Sequence, residues 1–294
     1  MTAGFTPDTG GVKALVLAAT AALVALSACA AGDDTGGGQG LQPPETTPSA
    51  GPVSHEYRPG LAAFPHLPDG VTEAPVVVMI PGGGWRSAVP TGLEPLAAAL
   101  ARQGVVAIPV VIRTAGDGVT YPVPVEDVLC ALADGAATAR AAGIHPTTLV
   151  LLGHSSGAHL SAVATLAPGS VTPHCEDPLV PPDALVGLAG PYDIRNFSDA
   201  AANLFAADAD DATWDAANPV LLAAQRPDVP VLLLHGDADE LVPTQFSTDF
   251  AAALRAGGHH VTVSILPGVN HGEVYAADVA AAPVLRWLTS FPQD

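Results

Sequence analysis

The chain has 294 residues, 49% of them apolar and only 13% charged, which supplies a sizeable core and excludes a chain disordered throughout. Its 29 acidic and 10 basic side chains give a formal charge of −19 at pH 7. That balance leaves no basic surface for phosphates, so a nucleic-acid partner is excluded and the acidity reads as a solubilising exterior.

The first element in chain order is a targeting segment, residues 1–28. MTAGFTPDTGGVK, with the sole lysine Lys13, precedes ALVLAATAALVAL, an apolar run of signal-peptide length that is too short for an ordinary membrane span. The following Leu26-Ser27-Ala28-Cys29 resembles the lipobox of bacterial lipoprotein signal peptides. That resemblance implies acylation of Cys29 as the first mature residue and an exported protein held by lipid on the outer face of a bacterial membrane, with plain secretion as the alternative. Residues 29–56 are Gly, Pro, Thr and acid with almost nothing to bury, the composition of a flexible tether. The membrane is therefore expected as a partner only through the anchor.

From residue 57 to residue 294 a single α/β domain is expected. Apolar β-branched runs at 76–80, 105–111, 149–152, 185–188, 231–234 and 261–266 are continuous rather than alternating, as strands covered on both faces require. Ala-rich helical segments lie between them at 93–102, 125–142 and 158–167, after Pro243 and near the C-terminus. Strand then helix, repeated, predicts a mostly parallel central sheet with helices on both faces. The stretch 57–75 is too short for a large N-terminal cap. Any cap would come from 191–229, where Phe205 and Trp214 are either pocket-lining aromatics or plain core.

The run LLGHSSGAHL at 151–160 places G-x-S-x-G between an expected strand and helix, and resembles the nucleophile elbow of the α/β-hydrolases. A serine hydroxyl is a weak nucleophile near neutral pH, so Ser155 needs a base, an orienting acid and an anion cradle. Pro81-Gly82-Gly83-Gly84-Trp85 follows the first strong strand and resembles the H-G-G-G motif of the esterase and lipase branch. By that resemblance the N–H groups of Gly83 and Gly84, with that of Ser156, form the oxyanion hole, although Pro81 stands where the family has His. Trp85, beside the loop, is expected to line the acyl pocket.

The segment HGDADELVP at 235–243 looks like the H-G-x-x-D-x-x-V-P stretch after the seventh strand in many α/β-hydrolases, which selects Asp239 with Asp237 as its competitor. Of ten histidines, His271 in LPGVNHGEVY follows the last strand and completes the family order Ser155, Asp239, His271. His154 occupies the elbow's x position, where the side chain points elsewhere, and His235 reads as structural. The segment GHSSGAHLSAVA is similar to the small carboxylesterases that include the arylformamidases.

These resemblances imply a serine hydrolase acting on carboxylic esters of small or medium acyl groups through an acyl-enzyme, with no cofactor and no metal. The small-molecule ester is then its partner. An arylformamidase or peptidase on the same triad, or a non-catalytic binding lipoprotein on a hydrolase scaffold, are the alternatives. With Cys29 assigned to lipid, Cys130 and Cys175 remain as a candidate disulfide in an exported chain. The sequence sets no oligomeric state.

Overall fold

The computed structural model describes residues 53–291. The signal-peptide and lipobox expectations, Cys29 included, and the tether up to residue 52 lie outside the described residues. Eight strands are present among them: β1 His55–Arg58, β2 Leu61–Ala63, β3 Glu73–Ile80, β4 Val106–Pro109, β5 His145–His154, β6 Ala184–Leu188, β7 Val231–Gly236 and β8 Val261–Leu266. β3 to β8 form one sheet in the order β4-β3-β5-β6-β7-β8, and every neighbouring pair is parallel.

The helices are α1 Glu94–Ala101, α2 Val123–Ala141, α3 Ser156–Leu166, α4 Ser198–Ala201, α5 Asp211–Ala216, α6 Pro219–Leu222, α7 Gln245–Ala256 and α8 Ala277–Leu288. Successive residues of β3 face opposite sides of the sheet, and both sides are apolar. Val76, Val78 and Ile80 join the core under α2, α3 and α7, while Val77 and Met79 join the core under α1 and α8. Burial on both faces is why these strands read as unbroken apolar runs.

The direction in which successive strands are added to the sheet reverses about β3. β4 lies on one side of it and β5 on the other. The loops leaving the C-terminal ends of β3 and β5 therefore face each other across a crevice, the place where open α/β sheets bind ligands.

The N-terminal boundary differs slightly from expectation, because β1 starts at His55, inside the stretch expected to be tether. β1 and β2 form a short antiparallel pair; Ala63, the last residue of β2, bridges Val110 just after β4, and His66 beyond it bridges Ala107 of β4. Arg58 holds this hairpin to α2 by donating to the buried Asp127 carboxylate (2.7 Å), which Arg113 also reaches (2.7 Å). Two guanidinium partners and the Arg113 N–H compensate the desolvation of that charge.

Cys130 on α2 and Cys175 form the expected disulfide, with Cα atoms 5.2 Å apart. It closes a loop of 45 residues, for which the chain-entropy model gives a stabilisation of about 4 kcal/mol. Reduction with dithiothreitol is expected to lower the urea-denaturation free energy by about that amount. Absence of released thiols would refute the assignment, and an unchanged midpoint after verified release would refute the stabilisation.

Candidate active site

Ser155 sits where β5 turns into α3, with φ 53° and ψ −125°. A non-glycine residue in that region costs about 1–3 kcal/mol and persists only where its surroundings enforce it. Here the enforcement is close backbone packing. A Cβ on Gly153 would collide with the backbone of Gly157, and one on Gly157 would collide with the carbonyls of Ile80 and Pro81. The two glycines of the elbow thus let strand, turn and helix cross beneath the serine. They also press the start of α3 against the end of β3.

That contact brings the glycine loop to the serine. A Cβ on Gly82 would lie 2.9 Å from Ser155 Cβ and 2.8 Å from His154 Nδ1. Gly83 has φ 149° and Gly84 φ 60°, and a Cβ on Gly83 would strike the backbone carbonyl of Ser87. The loop is tied in place by the Gly83 carbonyl, which accepts from Arg86 N–H (3.1 Å) and Ser87 N–H (3.3 Å), and by the Trp85 carbonyl, which accepts from Ala115 N–H (3.0 Å). Ser156 opens α3, so its N–H lacks an intrahelical acceptor by helical geometry and belongs to the positive end of the helix dipole.

Trp85 requires a correction. Its ring faces the core, with only 2% of its surface exposed, and does not line an open pocket. Its indole N–H donates to His159 Nδ1 (3.2 Å), and His159 Nε2–H donates to the Ala217 carbonyl (2.8 Å). Burial pushes the His159 pKa down to about 4, so the ring stays neutral and keeps the tautomer this chain of bonds needs. The loop that lacks the family's histidine at Pro81 is thereby pinned from below through Trp85. Phe205 and Trp214 stack on each other at 4.1 Å between ring centroids and pack with the core, so of the two readings open to them the structural one holds.

Asp239 and His271, the expected acid and base, come together across 32 residues of sequence. Asp239 Oδ2 accepts from His271 Nδ1–H at 2.7 Å. Its other oxygen takes the N–H groups of Leu241 (2.9 Å) and Val242 (2.8 Å). Burial pushes the carboxyl's pKa up, but the Val242 N–H, the His271 contact and the Leu241 N–H outweigh it and hold the group below its ordinary value. Asp237, the competitor, instead accepts from Gly268 N–H at 2.6 Å and braces the turn after β8. With Nδ1 donating to Asp239, His271 presents an unprotonated Nε2.

Two further histidines, set aside in the sequence, support this arrangement. His235 Nε2–H points at the Val242 carbonyl (2.8 Å) and Asp239 Oδ2 (3.1 Å), while its Nδ1 accepts from the Ser247 hydroxyl (2.8 Å). His154 does not simply point elsewhere. Its Nε2–H donates to the His271 carbonyl (2.9 Å), and its ring lies between those of His271 (4.7 Å) and Tyr275 (4.6 Å). Burial, then the neighbouring His271, pushes the His154 pKa down to about 4, which keeps this ring neutral. The signal was in the motif all along: a histidine immediately before the elbow serine is well placed to touch whatever approaches that serine.

The chain matches a family model described as BD-FAE over residues 66–254. It is 28% identical over 261 residues to Esterase LipQ of Mycobacterium tuberculosis, covering 82% of this chain and 60% of that protein. Identity to the probable carboxylic ester hydrolase LipM of the same organism is 30% over 230 residues, covering 71% and 53%. The chain thus spans little more than half the length of these curated relatives. Among solved structures, the acetyl ester-xyloside bifunctional hydrolase of Caldicellulosiruptor lactoaceticus superposes with a TM-score of 0.68 at 22% identity, covering 84% of this chain and 91% of that one. The thermophilic esterase Est2 of Thermogutta terrifontis, with butyrate bound, gives 0.66 at 20%, covering 81% and 92%. At that identity the likeness concerns the fold.

Proposed function

The chain belongs to the BD-FAE family and has the α/β-hydrolase fold, and on that premise we propose that it is a serine esterase cleaving carboxylic esters of small or medium acyl groups. The observation that carries this reading is the Asp239 to His271 bond of 2.7 Å on a loop whose His271 carbonyl is bonded (2.9 Å) by His154, the residue before Ser155, where the glycine loop also meets the elbow. His271 Nε2 takes the proton of Ser155 Oγ as the oxygen attacks the ester carbonyl. The carbonyl oxygen gains the negative charge and is met by the N–H groups of Gly83, Gly84 and Ser156. The carbon–oxygen bond to the alcohol then breaks, His271 gives its proton to the departing oxygen, and an acyl group remains on Ser155. Water, activated by the same imidazole, releases the acid and restores the serine. Asp239 holds the tautomer and steadies the imidazolium.

Short acyl groups draw support from the Est2 structures with butyrate and propionate bound, which share this fold. A fluorophosphonate should label the protein at Ser155 and stop hydrolysis of p-nitrophenyl acetate. Label on another residue, or hydrolysis surviving complete labelling, refutes the proposal. Faster turnover of N-formylkynurenine or a peptide amide than of any ester would put the arylformamidase or peptidase reading in its place.

We also propose that the protein is exported and lipid-anchored through Cys29, a reading supported by the lipobox-like sequence and by a disulfide, which oxidising compartments favour. Expressed in a bacterium, the full chain should enter the detergent phase on Triton X-114 partitioning, and the Cys29→Ala chain the aqueous phase. Equal partitioning of the two would end this part of the reading.

A further inference from the structure

A cleft of about 230 Å³ opens beside the nucleophile, on the α1 and α8 side of the sheet. Its walls include Gly82 of the glycine loop, Val89, Gly92 and Leu93 before α1, His154 and Tyr275. No lysine, arginine, aspartate or glutamate lines it. It exceeds the roughly 150 Å³ of an apolar cavity that holds a benzene ring.

The chemistry of the step decides which part of an ester lies there. The tetrahedral carbon carries four substituents: Ser155 Oγ, the oxyanion, the acyl group and the alcohol oxygen. The oxyanion faces the glycine loop amides, and the alcohol oxygen must lie within reach of His271, because the imidazole hands it the proton as the bond breaks. The alcohol therefore departs on the His271 side. Two walls of the cleft belong to that side. Tyr275 lies in the turn Glu273–Tyr275 that follows His271, and His154 bonds the His271 carbonyl at 2.9 Å while packing edge-on against Tyr275. Gly82, a third wall, packs so near Ser155 that a Cβ there would lie 2.9 Å from the serine's own.

We infer that this cleft is the leaving-group subsite and accepts an uncharged alcohol of about one six-membered ring, with Val89, Gly92 and Tyr275 setting its size. The inference rests on the ester hydrolysis proposed above. Val89 is 63% exposed at the mouth, and a Cβ on Gly92 would sit 3.4 Å from the Tyr275 ring and hydroxyl, so both positions can narrow the cleft without entering the core. Tyr275 offers a ring face to an apolar ring surface and a hydroxyl to a substituent.

The test compares two ratios of kcat/KM in the full chain and in its Val89→Trp and Gly92→Leu variants, with thermal melting as the check on folding. One ratio, cyclohexyl acetate to methyl acetate, varies only the alcohol; the other, methyl butyrate to methyl acetate, varies only the acyl group. Each variant is expected to lower the alcohol ratio about tenfold or more while the acyl ratio keeps its wild-type value. An unchanged alcohol ratio in a folded variant, or a fall in the acyl ratio in its place, overturns the inference. Should Gly92→Leu fail to fold, the exposed Val89→Trp decides alone. If the unaltered protein cleaves none of these esters, it is the esterase proposal that has failed, a result distinct from cleavage with an unaltered preference.

Discussion

Replacing Ser155 by Ala is expected to lower kcat/KM for p-nitrophenyl acetate by at least about 10⁴-fold and to abolish fluorophosphonate labelling. The size follows from what remains. Without Oγ there is no acyl-enzyme, and only amides and binding surface are left to assist direct attack by water. The fold should survive, because alanine shares the serine's Cβ and the unusual backbone at φ 53° is imposed by packing of Gly153 and Gly157 rather than by the hydroxyl. Circular dichroism and thermal melting of the purified variant would check that point. A folded variant with a loss of only a few-fold would show that Ser155 is not the nucleophile.

Replacing Asp239 by Asn is expected to cost about 10⁴-fold in kcat, nearly as much, for a different reason. The buried carboxylate accepts at both oxygens, from Leu241 and Val242 N–H on one and from His271 and His235 on the other. An asparagine whose oxygen stays with the two backbone donors aims its NH₂ at His271 Nδ1, where a hydrogen already points. The imidazole can accept that bond only by moving its proton to Nε2, which leaves nothing to take the proton of Ser155. Asp237→Asn keeps an oxygen that can accept from the Gly268 N–H and changes nothing at the imidazole, so it should lose less than about tenfold. The ratio of the two losses is the measurement, and equal losses would reject Asp239 as the orienting acid. Because its pKa lies below the ordinary carboxylate value in the folded protein, Asp239 contributes stability that is present above the unfolded pKa. That contribution disappears as the pH falls through the lower, folded value.

Sequence and structure agree best where one physical constraint acts along a short stretch. β8 was expected at 261–266 and is found as Val261–Leu266, since a strand flanked by turns shows both ends in sequence. β5 was expected only at 149–152, yet it begins at His145, because its first residues pair with Glu73 and Ala74 and no apolar run marks that pairing. β4 was expected to reach 111, but its ladder stops at Pro109. Val110 and Val111 instead meet Ala63 and Ala62 of β2, a partner no local pattern announces.

The sequence by itself determined the alternation of strands and helices, the tight elbow at Ser155, the glycine loop after β3 and the chain order of the proposed nucleophile, acid and base. Burial on both sheet faces forces continuous apolar runs, and close backbone crossings admit only glycine, so both leave residue types that can be read directly. The tertiary structure alone decided that Asp239 rather than Asp237 meets His271, that the Trp85 indole turns inward to His159, and that His154 joins the elbow to the His271 loop. Those choices turn on where a side chain points and which distant carbonyl it reaches. Such directions follow from the packing of β3, β5, β7 and the C-terminal loop around one rim, which the spacing of residues along the chain narrows, as in the motif that favours Asp239, but does not fix.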